Sequence, residues 1–223
     1  MFTQTLSSES TLAPHDGQRL LTFSPNSMVA STLSDARGTA IYTISTGVSG
    51  DRTSFLDAQT KKTAAKISKK MLSADTVAFR LEFGSELEGK TRSRMEEVKL
   101  SKWIHAKEDG EDGEVELNLG SGTGGEYIIR RHSQYRLALF RKDTPNADPL
   151  AHWQPPIPRP FDKATPITLA ISPEMLQHEV QIILAFTIEE RKLRFEEQSG
   201  NVGSAYETVP RGAVLMGTGG MTG

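Results

Sequence analysis

The sequence predicts a mainly β protein, a closed antiparallel β-barrel of about twelve strands around a buried C-terminal helix. Two observations favour this fold class. Short runs rich in β-branched and aromatic residues, separated by turn residues, fill most of the chain from 18 to 171. One long apolar segment, from Pro173 to about Gln198, follows them. A barrel that closes around a helix removes its own sheet edges and buries the helix completely.

The strands are predicted from alternation and from the turns that bound them. In 76–83, Val77, Phe79 and Leu81 alternate with polar or small residues, as a half-buried strand requires. A hairpin is predicted from 114–119 and 126–131, joined by the glycine-rich loop 120–125. The other predicted strands are 19–23, 39–45, 53–56, 97–104, 135–142 and 167–171.

The helix is predicted from its start signal and its apolar length. Ser172 is a suitable N-cap, Pro173 suits the first helical position, and Glu174 adds an acid to the first turn. At 100° per residue, the run 182–186 points apolar groups all around the axis, so protein must enclose the helix. A buried strand over 180–188 is the alternative.

Composition divides the chain into one domain and two arms. Residues 1–17, rich in Ser and Thr, are predicted to be a disordered N-terminal arm, and 18–198 form the barrel domain. The stretch 199–223 carries seven glycines and is predicted to be a disordered tail. The linker 143–166 holds seven of the eleven prolines and is predicted to be an irregular surface connection.

Charge and cysteine content exclude several classes of protein. The formal net charge of -2 argues against a nucleic-acid binder. The chain has no cysteine, which excludes disulfides, thiolate metal sites and cysteine nucleophiles. No secretory signal and no transmembrane segment is recognisable, so we expect a cytoplasmic protein, peripheral to membranes.

Residues 84–91 (GSELEGKT) match the phosphate-binding pattern GxxxxGK[ST] after a predicted strand. Glu86 and Glu88 would bring negative charge toward a polyphosphate, and no downstream apolar strand ends in an Asp that could hold Mg²⁺. A polar connection between antiparallel strands is therefore the preferred interpretation, and nucleotide binding at 84–91 is the alternative.

No other pattern indicates catalysis. The five histidines are scattered without metal-binding spacing, and no GxSxG nucleophile motif is present. The acidic loop 108–114 lacks the spacing of a calcium-binding EF-hand loop. The sequence thus predicts no enzymatic activity, no cofactor and no metal site.

Two clusters of basic residues are the candidate ligand-binding residues. If they converge in space, they would form a patch that attracts anionic lipid headgroups; ordinary surface charge on edge strands is the alternative. The two clusters are Lys61, Lys62, Lys66, Lys69 and Lys70, and Arg130, Arg131, Arg136, Arg141 and Lys142.

Several stretches resemble an uncharacterised family of basidiomycete fungal proteins, a family related to tubby-like, LURP-one-like and phospholipid-scramblase-like barrels. The resemblance implies a twelve-strand barrel around a C-terminal helix but no established activity. The tubby-like relatives suggest binding of phosphoinositides or membrane surfaces. Family members often carry a tryptophan where this chain has Ile128 and Ile129. The matching stretches are 21–46, 77–83, 98–103, 126–131, 135–142 and 184–194.

The functional expectation is a non-enzymatic binding or scaffold protein that recognises anionic lipid headgroups through a basic face. The alternative is a protein–protein interaction module that uses the two arms and the proline-rich linker. The expected partners are therefore membrane phosphoinositides or another protein, and no nucleic acid.

Overall fold

A computed structural model describes residues 17–70, 74–83, 92–106, 113–120, 126–154 and 165–206, with the side chains of 81–83, 92 and 200–206 outside that description. The predicted fold class is confirmed at its coarse level, because the chain forms one antiparallel sheet followed by a C-terminal helix. The sheet has thirteen strands in the order β7-β6-β5-β4-β3-β2-β1-β13-β12-β11-β10-β9-β8. The strands are β1 Arg19–Ser24, β2 Ala30–Ser34, β3 Ala40–Thr46, β4 Arg52–Asp57, β5 Thr63–Ser68, β6 Thr76–Phe83, β7 Arg92–Lys99, β8 Ile104–Ala106, β9 Val115–Leu117, β10 Tyr127–Arg130, β11 Leu137–Arg141, β12 Ala151–Gln154 and β13 Ile167–Ile171.

The predicted apolar helix is present and enclosed. It begins with a 3-10 helix, Pro173–His178, and continues as α2, Glu179–Tyr206. Ten consecutive residues, 181–190, are buried, so the helix is covered on every side there, and the alternative of a buried strand is wrong. Ser172 precedes the 3-10 helix in an extended conformation but makes no capping hydrogen bond through its side chain. The helix ends at Tyr206, eight residues later than predicted, and so enters the stretch 199–223.

One hydrophobic core joins the two halves of the sheet to α2. Phe23 on β1 packs edge-on against Trp153 on β12 at 4.9 Å between ring centroids, and Trp153 stacks on Phe186 of α2 at 6.1 Å. The same core reaches Phe79 on β6 and Trp103 near β8, whose rings are 6.0 Å apart. Because strands from both edges of the sheet contribute to one core around α2, the sheet curves around the helix.

The two edges of the sheet are β7 and β8. They are consecutive in the chain and are linked by a short helix, α1 Leu100–Trp103. Within the described residues, no hydrogen-bonded ladder joins β7 to β8. The sheet is therefore not closed by pairing in this structure, and it has thirteen strands where about twelve were expected.

Two predicted segments differ in detail. The predicted strand 97–104 is divided between the end of β7, α1 and the start of β8, because the chain turns there to bury Trp103. The proline-rich linker 143–166 contains β12, which pairs with both β11 and β13. The four residues of this strand include no proline, so no ladder hydrogen bond within it is lost to proline.

Candidate functional site

The antiparallel sheet gives the molecule two ends, defined here by the path of α2. At the start end, Arg19 pairs with Ile171, just before the 3-10 helix that leads into α2. At the exit end, Arg191 of α2 donates from Nη2 to the carbonyl of Met28, at 2.6 Å, in the β1–β2 connection. Successive hairpin connections alternate between these two ends.

The five lysines of the first cluster are spread along β5 and beyond both of its ends. Lys61 and Lys62 lie in the β4–β5 turn at the start end, and Lys66 lies within β5. Lys69 and Lys70 follow β5 at the exit end, where Lys69 N donates to the carbonyl of Asp51 at 2.7 Å. Seven residues of extended chain span about 23 Å, so these lysines do not form a single patch.

The five cations of the second cluster lie on or beside the paired strands β10 and β11, as predicted. Each of them contacts an acidic side chain. Hydrogen bonds from Lys142 lower the pKa of the Glu116 carboxyl, and those from Arg136 lower the pKa of Glu197. The ion pairs include Arg130 Nη1–Glu114 Oε1 at 3.6 Å, Arg131 Nη2–Glu196 Oε2 at 2.8 Å, Arg136 Nε–Glu190 Oε2 at 2.6 Å, Arg141 Nη2–Glu174 Oε2 at 2.6 Å, Lys142 Nζ–Glu116 Oε1 at 2.9 Å and Lys142–Glu126.

The two clusters are far apart in the sheet. Six strands, from β4 through β12 in the sheet order, separate β5 from β11. The structure therefore does not bring the two clusters together on neighbouring strands. In the second cluster, Arg131 and Arg136 pair with carboxylates of α2.

A different group of cations does converge, at the exit end of β4 to β7. The strand register places Arg52, Ser68, Thr76 and Lys99 in one row across four adjacent strands. Adjacent strands are about 4.8 Å apart, so the row is about 14 Å long. We call Arg52, Lys69, Lys70, Lys99 and Lys102 the exit-end basic surface.

The row faces outward because its neighbours in each strand are core residues. The residues next to Arg52, Ser68 and Thr76 in their strands are Thr53, Ile67 and Val77, and all three are buried. Side chains alternate between the two faces of a strand, so the row points to the opposite face. All five cations of the exit-end basic surface are exposed.

Few carboxylates neutralise this surface. Lys70 lies 3.8 Å from Glu97, and both side chains are about half exposed. The other four cations form no ion pair within the part of the chain that the structure describes. Among the described residues, the acids of the same strand ends and turns are Asp51, Asp75 and Glu97, three against the five cations.

Two exposed apolar residues lie at the same end. Val48 is fully exposed in the β3–β4 turn, between Gly47 and Gly50, and Gly50 has a φ of 76° that a tight turn requires. Val29 is half exposed in the β1–β2 connection. An apolar tip beside exposed cations is typical of surfaces that contact lipid headgroups.

Several predicted features lie outside the described residues. These are the nucleotide-binding pattern 84–91, most of the N-terminal arm, the tail after Tyr206 and much of the linker 155–164. Nucleotide binding and the protein–protein interaction alternative therefore stay predictions. Among the described residues, no group of three His, Asp or Glu side chains could hold a metal ion, and no helix is long and apolar enough to cross a membrane.

Comparisons with known proteins do not assign a family. Neither a protein-family model nor a curated protein matches the chain. A crystal structure of a protein from Arabidopsis thaliana is similar to it at a TM-score of 0.33 and 8% sequence identity, covering 80% of this chain and 93% of that one. At these values the likeness carries no argument about function, so the functional proposal depends on the site itself.

Proposed function

We propose that the chain is a non-enzymatic binding protein that docks on anionic phospholipid headgroups through the exit-end basic surface. The observation that carries the proposal is the row Arg52–Ser68–Thr76–Lys99, about 14 Å long. It brings Arg52 and Lys99 to the same strand ends as the exposed Lys69, Lys70 and Lys102. A cation near an anionic membrane contributes about 1 kcal/mol. The four cations without an ion pair within the described residues supply about 4 kcal/mol, and Lys70, which is paired with Glu97, adds less. That is enough for reversible attachment at the cytoplasmic face.

The exposed apolar side chain of Val48 adds a second contribution. Burial of a valine side chain in an apolar environment is worth about 1.5 kcal/mol. The glycines on either side let the tip approach the headgroup region closely. The positive charge attracts the protein to the membrane surface, and the β3–β4 turn with Val48 holds the exit end against that surface.

The proposal keeps part of the predicted ligand-binding set. Lys69 and Lys70 belong to the exit-end basic surface, and Lys66 lies next to it on β5. Lys61 and Lys62 lie at the opposite end. The second cluster is engaged by carboxylates, and a cation already bonded to a carboxylate gains less from a lipid phosphate.

Vesicle flotation of the full chain tests the proposal. We expect binding to vesicles with phosphatidylserine or a phosphoinositide and none to pure phosphatidylcholine. Binding should weaken between about 0.1 M and 1 M salt, since the Debye length falls from about 10 to 3 Å. The variant Arg52→Glu/Lys69→Glu/Lys99→Glu should stay unbound.

The matched control places the same charge change at the start end. Arg37→Glu/Lys61→Glu/Lys62→Glu changes three exposed cations in the β2–β3 and β4–β5 turns. It should float nearly as well as the unchanged chain. Equal loss in both variants would show that net charge, not the exit-end basic surface, drives binding, and would refute the proposal.

We further propose that the sheet closes between β7 and β8 into a barrel of the tubby-like kind. The burial of α2 on all sides over 181–190 supports this, as does the short α1 link between the two edges. Amide hydrogen exchange of β8 should then be slow. Exchange at the rate of an open edge would contradict closure.

A further inference from the structure

A cavity of about 340 Å³ lies at the start end, where α2 begins, and differs in chemistry from the exit-end basic surface. It lies within the size range of sites for small ligands. Polar groups converge on it from β1, β3, β6 and the first turns of the helix. The polar lining residues are Arg19, Tyr42, Arg80, Gln177, His178, Glu179 and Gln181.

The acidic group of the cavity is already satisfied. Glu179 Oε1 accepts a hydrogen bond from the Tyr42 hydroxyl at 2.9 Å, and its Oε2 lies 3.1 Å from Arg19 Nε. Burial, and next the charge of Glu179, raise the pKa of Tyr42, so the hydroxyl keeps its proton and remains a donor. The charges of Glu179 and Arg19 therefore neutralise each other.

Arg80 is the cation of the cavity that has no ion pair within the described residues. The nearby acid is Asp57, whose pKa is lowered chiefly by the hydrogen bond from the Thr60 backbone and least by Arg80. Asp57 Oδ1 accepts from Gln59 N, Thr60 N and Thr60 Oγ1. The Asp57 carboxylate is therefore held by its own turn, and the Arg80 guanidinium keeps its capacity for an anion.

His178 supplies a second polar group of the cavity that is not engaged by the protein, its Nε2 atom. Its Nδ1 lies 2.8 Å from Gln181 Oε1, which accepts, so the neutral ring carries its proton on Nδ1. Nε2 is then an acceptor, and it is buried with no hydrogen-bond partner. A buried acceptor without a donor is costly, so a hydroxyl group of a ligand would be well placed there.

We infer that this cavity binds a small hydroxylated anion, with Arg80 contacting the anionic group and His178 Nε2 accepting from a hydroxyl. Leu176 and Phe79 give the cavity an apolar wall. The inference is independent of the membrane proposal, because the cavity and the exit-end basic surface lie at opposite ends of the sheet.

Isothermal titration of the full chain tests the inference with three probes: glycerol 3-phosphate, inorganic phosphate and glycerol. We expect saturable binding of glycerol 3-phosphate, weaker binding of phosphate and none of glycerol. Arg80→Gln should weaken glycerol 3-phosphate binding by about tenfold or more, since it removes a charge-assisted hydrogen bond. His178→Leu should weaken the binding of glycerol 3-phosphate but leave the binding of phosphate unchanged. The control Arg37→Gln, in a neighbouring turn, should change the affinity for neither probe.

Three results would overturn the inference: no saturable binding of any probe, unchanged binding by Arg80→Gln, or equal affinity for phosphate and glycerol 3-phosphate. Circular dichroism melting of each variant without ligand checks that it folds. Flotation of Arg80→Gln distinguishes a soluble anion from a lipid headgroup. Flotation equal to that of the unchanged chain is expected, and loss of flotation would assign the cavity to lipid and refute the soluble ligand.

Discussion

Replacing Phe186 by alanine should severely destabilise the protein. Phe186 is fully buried in α2 and stacks on Trp153 at 6.1 Å with an interplanar angle of 19°. A fully buried phenylalanine replaced by alanine costs about 3–5 kcal/mol, because transfer free energy is lost and a cavity remains. For a domain of this size, that corresponds to a fall in Tm of about 6–20 °C.

Phe195 provides the matched control, because it lies on the same helix with 71% of its surface exposed. Phe195→Ala makes the same chemical change and should alter the free energy of unfolding by less than about 0.5 kcal/mol. Urea unfolding of the three proteins, followed by circular dichroism, gives both values. A cost below about 1 kcal/mol for Phe186→Ala, or similar costs for both variants, would refute the enclosure of α2 by the sheet.

Two further predictions concern the buried carboxylates Glu190 and Glu189 of α2. Arg136→Met should lower the free energy of unfolding in urea by about 1–3 kcal/mol, because it leaves the buried Glu190 carboxylate with Arg194 as its single partner. Arg141→Met breaks an exposed ion pair and should lower it by less than about 1 kcal/mol. Equal costs would contradict this interpretation. Burial raises the pKa of Glu189, so the folded state binds its proton more tightly and stability falls as pH rises through that raised pKa. Glu189→Gln should therefore raise the Tm at pH 7 and have little effect near pH 4, and a lower Tm at pH 7 would show that the Lys192 pair outweighs the cost of burial.

Much of the fold could be predicted because it depends on local patterns. The alternation in 76–83 and the apolar run 182–186 each identify an element without reference to the rest of the chain. Strands β2 and β5 were missed because their sequences, ASTLS and TAAKIS, carry few large apolar residues. They hold their place through ladders with neighbours on both sides, and such tertiary support overrides weak local propensity.

The candidate site was much harder to predict. Arg52 and Lys99 are 47 positions apart in the sequence, and only the register across β4, β5, β6 and β7 places them in one row. Arg136 illustrates the opposite difficulty, because it lies in a cluster of basic residues that is predicted to be free to bind a ligand. Its carboxylate partners, Glu190 and Glu197, come from a helix more than fifty residues away. Charge runs in a sequence therefore did not distinguish a free cation from a paired one.

A single fluorescent label tests directly whether the exit end of the protein faces an anionic membrane. Because the chain has no cysteine, Val48→Cys accepts one environment-sensitive dye at the exit end and Lys61→Cys accepts one at the start end. On addition of phosphatidylserine vesicles, the emission of the dye on Val48→Cys should shift to the blue and that on Lys61→Cys should not. A shift on Lys61→Cys alone, or on neither variant, would contradict the claim.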